Sequence, residues 1–452
     1  MTLFLFSYER IRILKKNDIL TVTVTDINHM GLGVAREGGA VIFVQGGVTE
    51  DRLSVKIIKE TKSYYVARIE RILSPSPYRT QPSCPAYKRC GGCIYQSITP
   101  EYEKILKENR VKNEFKRFGV RCESFEPLVS AKPSGYRNKL QCPVSDDGRL
   151  GFYAQKSHEV IDIDECALQE ELTAPIYKYL HKYVRSHPES GIRHIYLRCG
   201  VGTGEVMVCF VCRNDSFVGQ SELVADITSR FPEITSVILN INPDETNVVL
   251  GRKCITLYGN GYIEDILCGL RFKISPLSFY QVNHDCTELL YRKAAEYAEV
   301  KPTDTLVDLF CGIGTIGLCV ASIAPVNRIL GVEVIPEAIE NAKENAALNG
   351  VTNAEFYCSP AEDFDFGEPD VLIVDPPRKG LAPSLIETVG RVAPKRIVYI
   401  SCSPDTLARD CSMLAPYGYT VTRCTPFNMF PRTGHVESVV CLTRRLDVDM
   451  RR

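Results

Sequence analysis

Four apolar runs between residues 304 and 400, each ending in a polar side chain, constrain this chain more than any other feature. The run Asp304-Thr305-Leu306-Val307-Asp308-Leu309-Phe310 passes straight into Cys311-Gly312-Ile313-Gly314-Thr315-Ile316-Gly317, a glycine-rich turn opening a helix. Small residues there let a ligand approach the backbone. The second run, 328–333, ends in Glu333, 19 residues after Gly314, where an acid suits hydrogen bonding to ribose hydroxyls. Pro336 opens the next helix and Gly350 ends it. The third and fourth runs end in Asp375-Pro376-Pro377-Arg378 and Ser401-Cys402-Ser403-Pro404. Apolar strands alternating with helices predict an α/β domain with a parallel sheet, whose ligands lie outside the carboxyl ends of the strands. Asp308, Glu333, Asp375 and Cys402 are therefore expected on one rim, around one cleft. Alone, the glycine turn fits NAD as well as a methyl donor; the other strand ends separate the two. Further on, His435 and Glu437 precede an apolar run, 438–442, near the end of the same sheet. His435 reads as a hydrogen-bonded structural histidine.

The chain has 452 residues, enough for about three domains. Its net charge of -1 hides an asymmetry. Residues 1–140 carry 24 Lys and Arg against 14 Asp and Glu, and residues 141–452 carry 30 against 41. A basic front on an acidic back is expected when one part holds a polyanion. From 18 to 73, alternating runs punctuated by glycines predict a small all-β barrel. Lys56, Lys59, Lys62, Arg68 and Arg71, interleaved with Tyr64 and Tyr65, would give it a basic, aromatic face. A solvated surface and an RNA contact suit that charge run equally well. Ser74-Pro75-Ser76-Pro77 reads as a linker. A helix from about 100 to 118 is expected to bury Ile105, Leu106, Val111 and Phe115.

Most of the 19 cysteines lie singly in strand-like runs, as reduced thiols used for packing do. Residues 1–6 are too short for a signal segment, and no apolar window is long enough to span a membrane. A reduced, cytoplasmic protein is expected. Cys84, Cys90 and Cys93 differ from the rest, being clustered around Gly91-Gly92. Three thiolates need a fourth ligand, and Cys166 is the best candidate. Tetrahedral sulfur ligation suits zinc or an iron–sulfur cluster, and residue chemistry does not choose between them.

Taken together, these segments resemble the bacterial RNA uracil-C5 methyltransferases that use S-adenosylmethionine. The resemblance runs from about residue 15 to 445 and is strongest to the subgroup acting on 23S ribosomal RNA. It rests on the cysteine spacing, Ser278-Phe279-Tyr280-Gln281-Val282-Asn283, the glycine turn, Asp375-Pro376-Pro377-Arg378, Ser401-Cys402-Ser403-Pro404 and Gly434-His435-Val436-Glu437. It implies a Rossmann-like methyltransferase domain with a mixed seven-stranded sheet over 266–452. It implies an OB-like TRAM β-barrel over 15–74, and a central α+β domain over 75–265, with helix 100–118 packed on the C-terminal domain. Cys84, Cys90, Cys93 and Cys166 would hold a 4Fe–4S cluster. Gln281, Phe310, Glu333 and Asp375 would bind S-adenosylmethionine, Cys402 would be the nucleophile and Glu437 the general base. Gly135-Tyr136-Arg137-Asn138-Lys139 also matches the family, as an RNA contact. The partner would be 23S ribosomal RNA, with no membrane and a monomeric protein.

The implied chemistry is covalent. Uracil C5 is a poor nucleophile until a thiolate adds at C6; the resulting enolate takes the methyl group, a base removes the C5 proton, and the thiolate leaves. The target base must be unstacked for this. Three alternatives are weighed: a transfer-RNA uracil methyltransferase, a radical S-adenosylmethionine enzyme and a non-catalytic RNA-binding module. The Cys-x5-Cys-x2-Cys spacing, a fourth cysteine and the complete glycine-rich fold argue against the radical enzyme. Cys402 and Glu437 argue against the non-catalytic module.

Overall fold

A computed structural model describes residues 14–244 and 246–445. The apolar start at 1–6, read above as too short for a signal segment, lies outside the described residues. Two compact units divide the chain. The first holds everything described up to Lys88, with Gly92–Lys107 and Arg432–Gly434; the second holds Arg89–Gly91, Glu108–Pro431 and the described residues from His435 onward.

In the first unit, β1 (Ile19–Ile27), β2 (Leu32–Glu37), β3 (Ala40–Gln45), β4 (Arg52–Glu60) and β5 (Tyr65–Ser74) close a barrel in the order β1-β2-β3-β5-β4. Alternate residues Val22, Val24, Val44, Leu53, Val55 and Ile57 fill it, as the period of two requires. The Ser-Pro stretch is not a loose linker. Asp51 is fully buried and accepts the Val48 amide at 2.7 Å and the Ser76 amide at 2.9 Å, while pairing with Arg79. A buried carboxylate needs such partners, so the chain beyond the barrel is held down. Helix α1 (Pro100–Arg117) follows. Its first turns bury Tyr102 and Leu106 with Ile27, Val48 and Ile98, but Ile105 is 47% exposed, contrary to the expected stripe.

The second unit begins with the end of α1, where Val111 and Phe115 pack among Leu309, Val374, Leu407 and Val440, and with β6 (Cys122–Phe125). Next come β7 (Lys139–Pro143), the hairpin of β8 (Gly151–Tyr153) and β9 (Val160–Asp162), and α2 (Ala174–Ser186). Then follow β10 (Ile192–Cys199), β11 (Val206–Cys212), α3 (Gln220–Arg230), β12 (Ile234–Ile241) and β13 (Lys253–Gly259). These build a five-stranded sheet in the order β13-β12-β11-β10-β7. A hairpin, β14 (Ile263–Leu267) and β15 (Leu270–Ile274), precedes α4 (His284–Ala298).

The remaining chain alternates strand and helix: β16 (Thr305–Leu309), α5 (Thr315–Ile323), β17 (Arg328–Glu333), α6 (Pro336–Leu348) and β18 (Ala354–Cys358). After these come β19 (Val371–Val374), α7 (Pro383–Val392), β20 (Arg396–Ser401), α8 (Pro404–Leu414), β21 (Tyr419–Phe427) and β22 (Glu437–Arg444). The sheet order is β18-β17-β16-β19-β20-β22-β21-β6, so it has eight strands rather than the expected seven. The eighth is β6, which pairs parallel to β21 at the edge, Val421 opposite Cys122 and Cys424 opposite Phe125. The sheet is mixed because β22 runs antiparallel to β20. Strand order reverses at β16, the switch point where such sheets leave a crevice at their carboxyl ends.

Candidate active site

Every parallel strand places its last residues at that crevice. Phe310, just past β16, is held at φ 66°, a conformation uncommon for a non-glycine residue and found where surrounding structure imposes it. The glycine turn then returns the chain into α5. Gly314 is at φ 82°, and a Cβ on it would stand 3.1 Å from the Phe356 ring. Asp308 points back from the strand and accepts the Gly317 amide at 2.8 Å through Oδ2, while its buried Oδ1 has no partner. Burial pushes its carboxyl up to about 7, with Asp375 and Glu333 adding repulsion. Glu333 closes β17. Its Oε1 accepts the Val334 and Ile335 amides at 2.8 and 3.1 Å, and its Oε2 accepts Gly312 at 3.3 Å. The carboxylate thus pins its own strand end to the glycine turn.

Asp375 follows β19, and burial pushes it up to about 7. Cys402 follows β20. Antiparallel pairing sets Ser401 opposite Ser438, so Glu437 opens β22 at the same end of the sheet. Glu437 is buried, and burial together with Asp375 pushes it up to about 8, against the pull of Arg378. The Cys402 thiol is pushed up to about 11 by burial, then by Glu437 and Asp375, with Arg378 pulling down through its charge and a hydrogen bond. Sequence reasoning quoted Arg378 without giving it a task. Its signal was being an arginine three residues beyond the strand-end acid Asp375.

Gln281 is carried by the loop before α4. Asn138 holds that loop, donating its side chain to the Gln281 carbonyl at 3.1 Å and its amide to the Val282 carbonyl at 2.9 Å. Asn283 caps α4 and donates to the Met429 carbonyl at 3.0 Å. Arg198, fully buried on β10, donates to the carbonyls of Ser275, Ser278 and Tyr280. No sequence pattern marked it. In the neighbouring segment, Tyr136 is buried, and burial with Arg198 and Arg137 pushes the Lys139 amine down to about 7. His435 is exposed and stands edge-on to Phe430, with ring centroids 5.9 Å apart.

Of the clustered cysteines, Cys84 donates its amide to Gln96 at 3.3 Å, and Cys93 is half-buried. Cys90 bridges Ala154 beside β8, and the nearby Cys142 thiol is pushed up mainly by its burial, with Cys166 adding to it. Among the described residues, no group of three or more His, Cys, Asp and Glu side chains is arranged to hold a metal ion. No helix among them is long and apolar enough to cross a membrane.

A family model described as tRNA (Uracil-5-)-methyltransferase matches residues 362–445, and one described as the TRM5/TYW2 methyltransferase domain matches 268–368. An uncharacterized RNA methyltransferase of Bacillus cereus (strain ATCC 10987 / NRS 248) is 39% identical over 450 residues, covering 95% of this chain and 97% of the relative. One from Listeria innocua is 38% identical, covering 95% and 99%. The crystal structure of Pyrococcus abyssi tRNA (uracil-54, C5)-methyltransferase in complex with S-adenosyl-L-homocysteine matches with a TM-score of 0.76 and 27% identity, covering 94% of this chain and 100% of that one. With likeness along almost its whole length, and with strand ends equipped for this chemistry, the chain belongs to the RNA uracil-5-methyltransferase family.

Proposed function

We propose that this S-adenosylmethionine-dependent RNA uracil-5 methyltransferase acts on a uridine of 23S ribosomal RNA, with Cys402 as nucleophile and Glu437 as general base. The observation that carries the reading is the pairing of Ser401 with Ser438, which sets that thiol and that carboxyl at one end of adjacent strands. S-adenosylmethionine, when bound, supplies an electrophilic methyl group on a sulfonium. The residues suit it: Asp308, Asp375 and Glu437 are buried carboxyls raised by burial, a donor set that favours a cation and hydroxyl groups. Gln281, Phe310, Glu333 and Asp375 would hold it, with Glu333 fixing the glycine turn beneath.

Arg378 favours the Cys402 thiolate, which adds to C6 of the unstacked uracil and leaves C5 as the nucleophile. After C5 has been methylated, Glu437 takes the C5 proton. Loss of that proton restores the ring double bond and expels Cys402. Cys84, Cys90, Cys93 and Cys166 are proposed to hold a 4Fe–4S cluster. Their spacing supports this. The cluster enters no step above and would serve structure.

The barrel and the cysteine spacing support the ribosomal target. A transfer-RNA target is the second reading, favoured by likeness to the archaeal tRNA enzyme. Mass-spectrometric mapping of 5-methyluridine in both RNAs from a deletion strain decides. Loss from 23S rRNA alone is expected. Loss from tRNA alone would transfer the assignment.

A further inference from the structure

A cavity of about 700 Å³ opens in the second unit where β10 begins and β11 ends, and none of the candidate active-site residues line it. His194, on its wall, is 9% exposed. Its Nε2 lies 3.3 Å from the Tyr153 hydroxyl, and its buried Nδ1 has no partner. Burial and the Arg193 cation push the imidazole down to about 4, so at neutral pH it keeps one donor and one acceptor. A buried ring nitrogen left unsatisfied is costly in a finished core, and the residue that carries this one lines an open cavity.

The other walls narrow the ligand. Tyr153 is 38% exposed, yet fixed in place: it pairs with Val160 across the β8–β9 hairpin, and its carbonyl accepts the Gly91 amide at 3.4 Å. Arg193 and Arg213 stand in the lining with Asp146 and Glu189, so its charges balance, and Phe217 gives it an apolar side. A phosphate alone would meet the two acids as well as the cations, and would leave the aromatic residues unused. An apolar molecule would leave His194 unsatisfied. A partly exposed tyrosine, a neutral hydrogen-bonding imidazole and charges of both signs together suit an unstacked nucleobase, a neutral ring with donors and acceptors. The volume is that of an ordinary small-ligand pocket.

Its position fits a long substrate. From Ile192 at the cavity, β10 runs to Arg198, which holds the Ser278 carbonyl near Gln281 at 2.9 Å. Six strand residues span about 20 Å. We propose that this cavity is a second RNA subsite, taking one unstacked nucleobase several nucleotides from the uridine that is methylated. It rests on the reading that the chain acts on RNA.

The full-length protein tests it. His194→Phe keeps the volume and removes both ring nitrogens; Tyr153→Ala removes the stacking face. Either variant, with thermal unfolding and S-adenosylhomocysteine binding as in the parent, should bind a 4-thiouridine-substituted single-stranded RNA about tenfold more weakly. In the parent, photocross-links should fall on the peptides of β8 and β10. Affinity within about twofold of the parent for both folded variants, with no cross-link there, overturns the proposal. So does a free mononucleotide (AMP or UMP) that occupies the cavity without competing with RNA, since that marks a small-molecule site. Methyl transfer by the parent is measured separately. Its absence would sink the catalytic reading, whereas the affinity and cross-linking results alone judge this site.

Discussion

The carboxyl of Glu437 raises the thiol of Cys402 across the end of the sheet, from a strand start that the Ser401–Ser438 pair fixes in register. Asp375 raises both groups, and Arg378 lowers both. Burial is the largest cause for both, and in the free protein the pair rests protonated, with Cys402 pushed up to about 11 and Glu437 to about 8. Any positive charge brought among these acids lowers all of them together. On the proposed assignment, cofactor binding and activation would be coupled through this one cluster.

The pH profile should carry that signature. Both reacting groups must lose a proton, so kcat/KM should climb as pH rises through 8, where Glu437 titrates. Glu437→Gln should erase that limb along with most of the activity. A profile that falls between neutrality and pH 8 would contradict the assignment.

Stability should move the opposite way. Asp308 and Asp375 rise from 3.8 to about 7, and Glu437 from 4.5 to about 8, so the folded state binds these protons more tightly than the unfolded chain. Their contribution is complete below the unfolded values and is lost as pH rises through 7 to 8. The ligand-free protein should melt lower at pH 8.5 than at pH 6, and Asp375→Asn should flatten the fall. A melting temperature that rises over this range would refute the burial of these acids.

Against burial, Glu437 and Asp375, Arg378 lowers the Cys402 thiol through its charge and a hydrogen bond. Arg378→Ala should slow iodoacetamide alkylation of Cys402 and adduct formation by about tenfold, the equivalent of one pKa unit. Arg378→Lys should recover part of both. An unchanged alkylation rate would remove Arg378 from the activation of the thiol.

The strand ends were legible because each parallel strand is an apolar run halted by a polar residue, which is what a buried strand meeting a crevice requires. The antiparallel reach of β22 was half legible: Glu437 stood before an apolar run, but only the register with β20 puts it beside Cys402. Strand β6 was hidden, since Cys-Glu-Ser-Phe has no apolar alternation and pairs only by joining an existing edge. Arg198 was hidden for a different reason. A buried arginine that caps loop carbonyls looks, in a sequence, like any strand arginine. Ile105 misled because helical spacing alone does not say how wide the buried stripe is.

For the cysteines, the expected outcome concerns metal content. Protein purified without oxygen should be brown and contain iron, with visible thiolate-to-iron absorbance. Cys90→Ser should bleach it while leaving S-adenosylhomocysteine binding intact. Stoichiometric zinc and no iron would replace the cluster with a zinc site.

The last prediction separates the two reacting groups, because each serves a different step. Cys402→Ala removes the nucleophile, so no covalent protein–RNA species should form. Glu437→Gln leaves addition and methyl transfer possible but withdraws the base, so the methylated adduct should accumulate; elimination cannot proceed until the C5 proton is lost. Both should turn over at least ~10²-fold more slowly. On a denaturing gel with labelled RNA and S-adenosylmethionine, a retarded methyl-labelled band should appear with Glu437→Gln and be absent with Cys402→Ala. Two other thiols, Cys311 and Cys424, are poor substitutes, since both are buried and held well above their ordinary pKa by that burial. A band from Cys402→Ala would therefore place the nucleophile elsewhere in the chain. Full activity in both variants would rule out covalent catalysis by this pair.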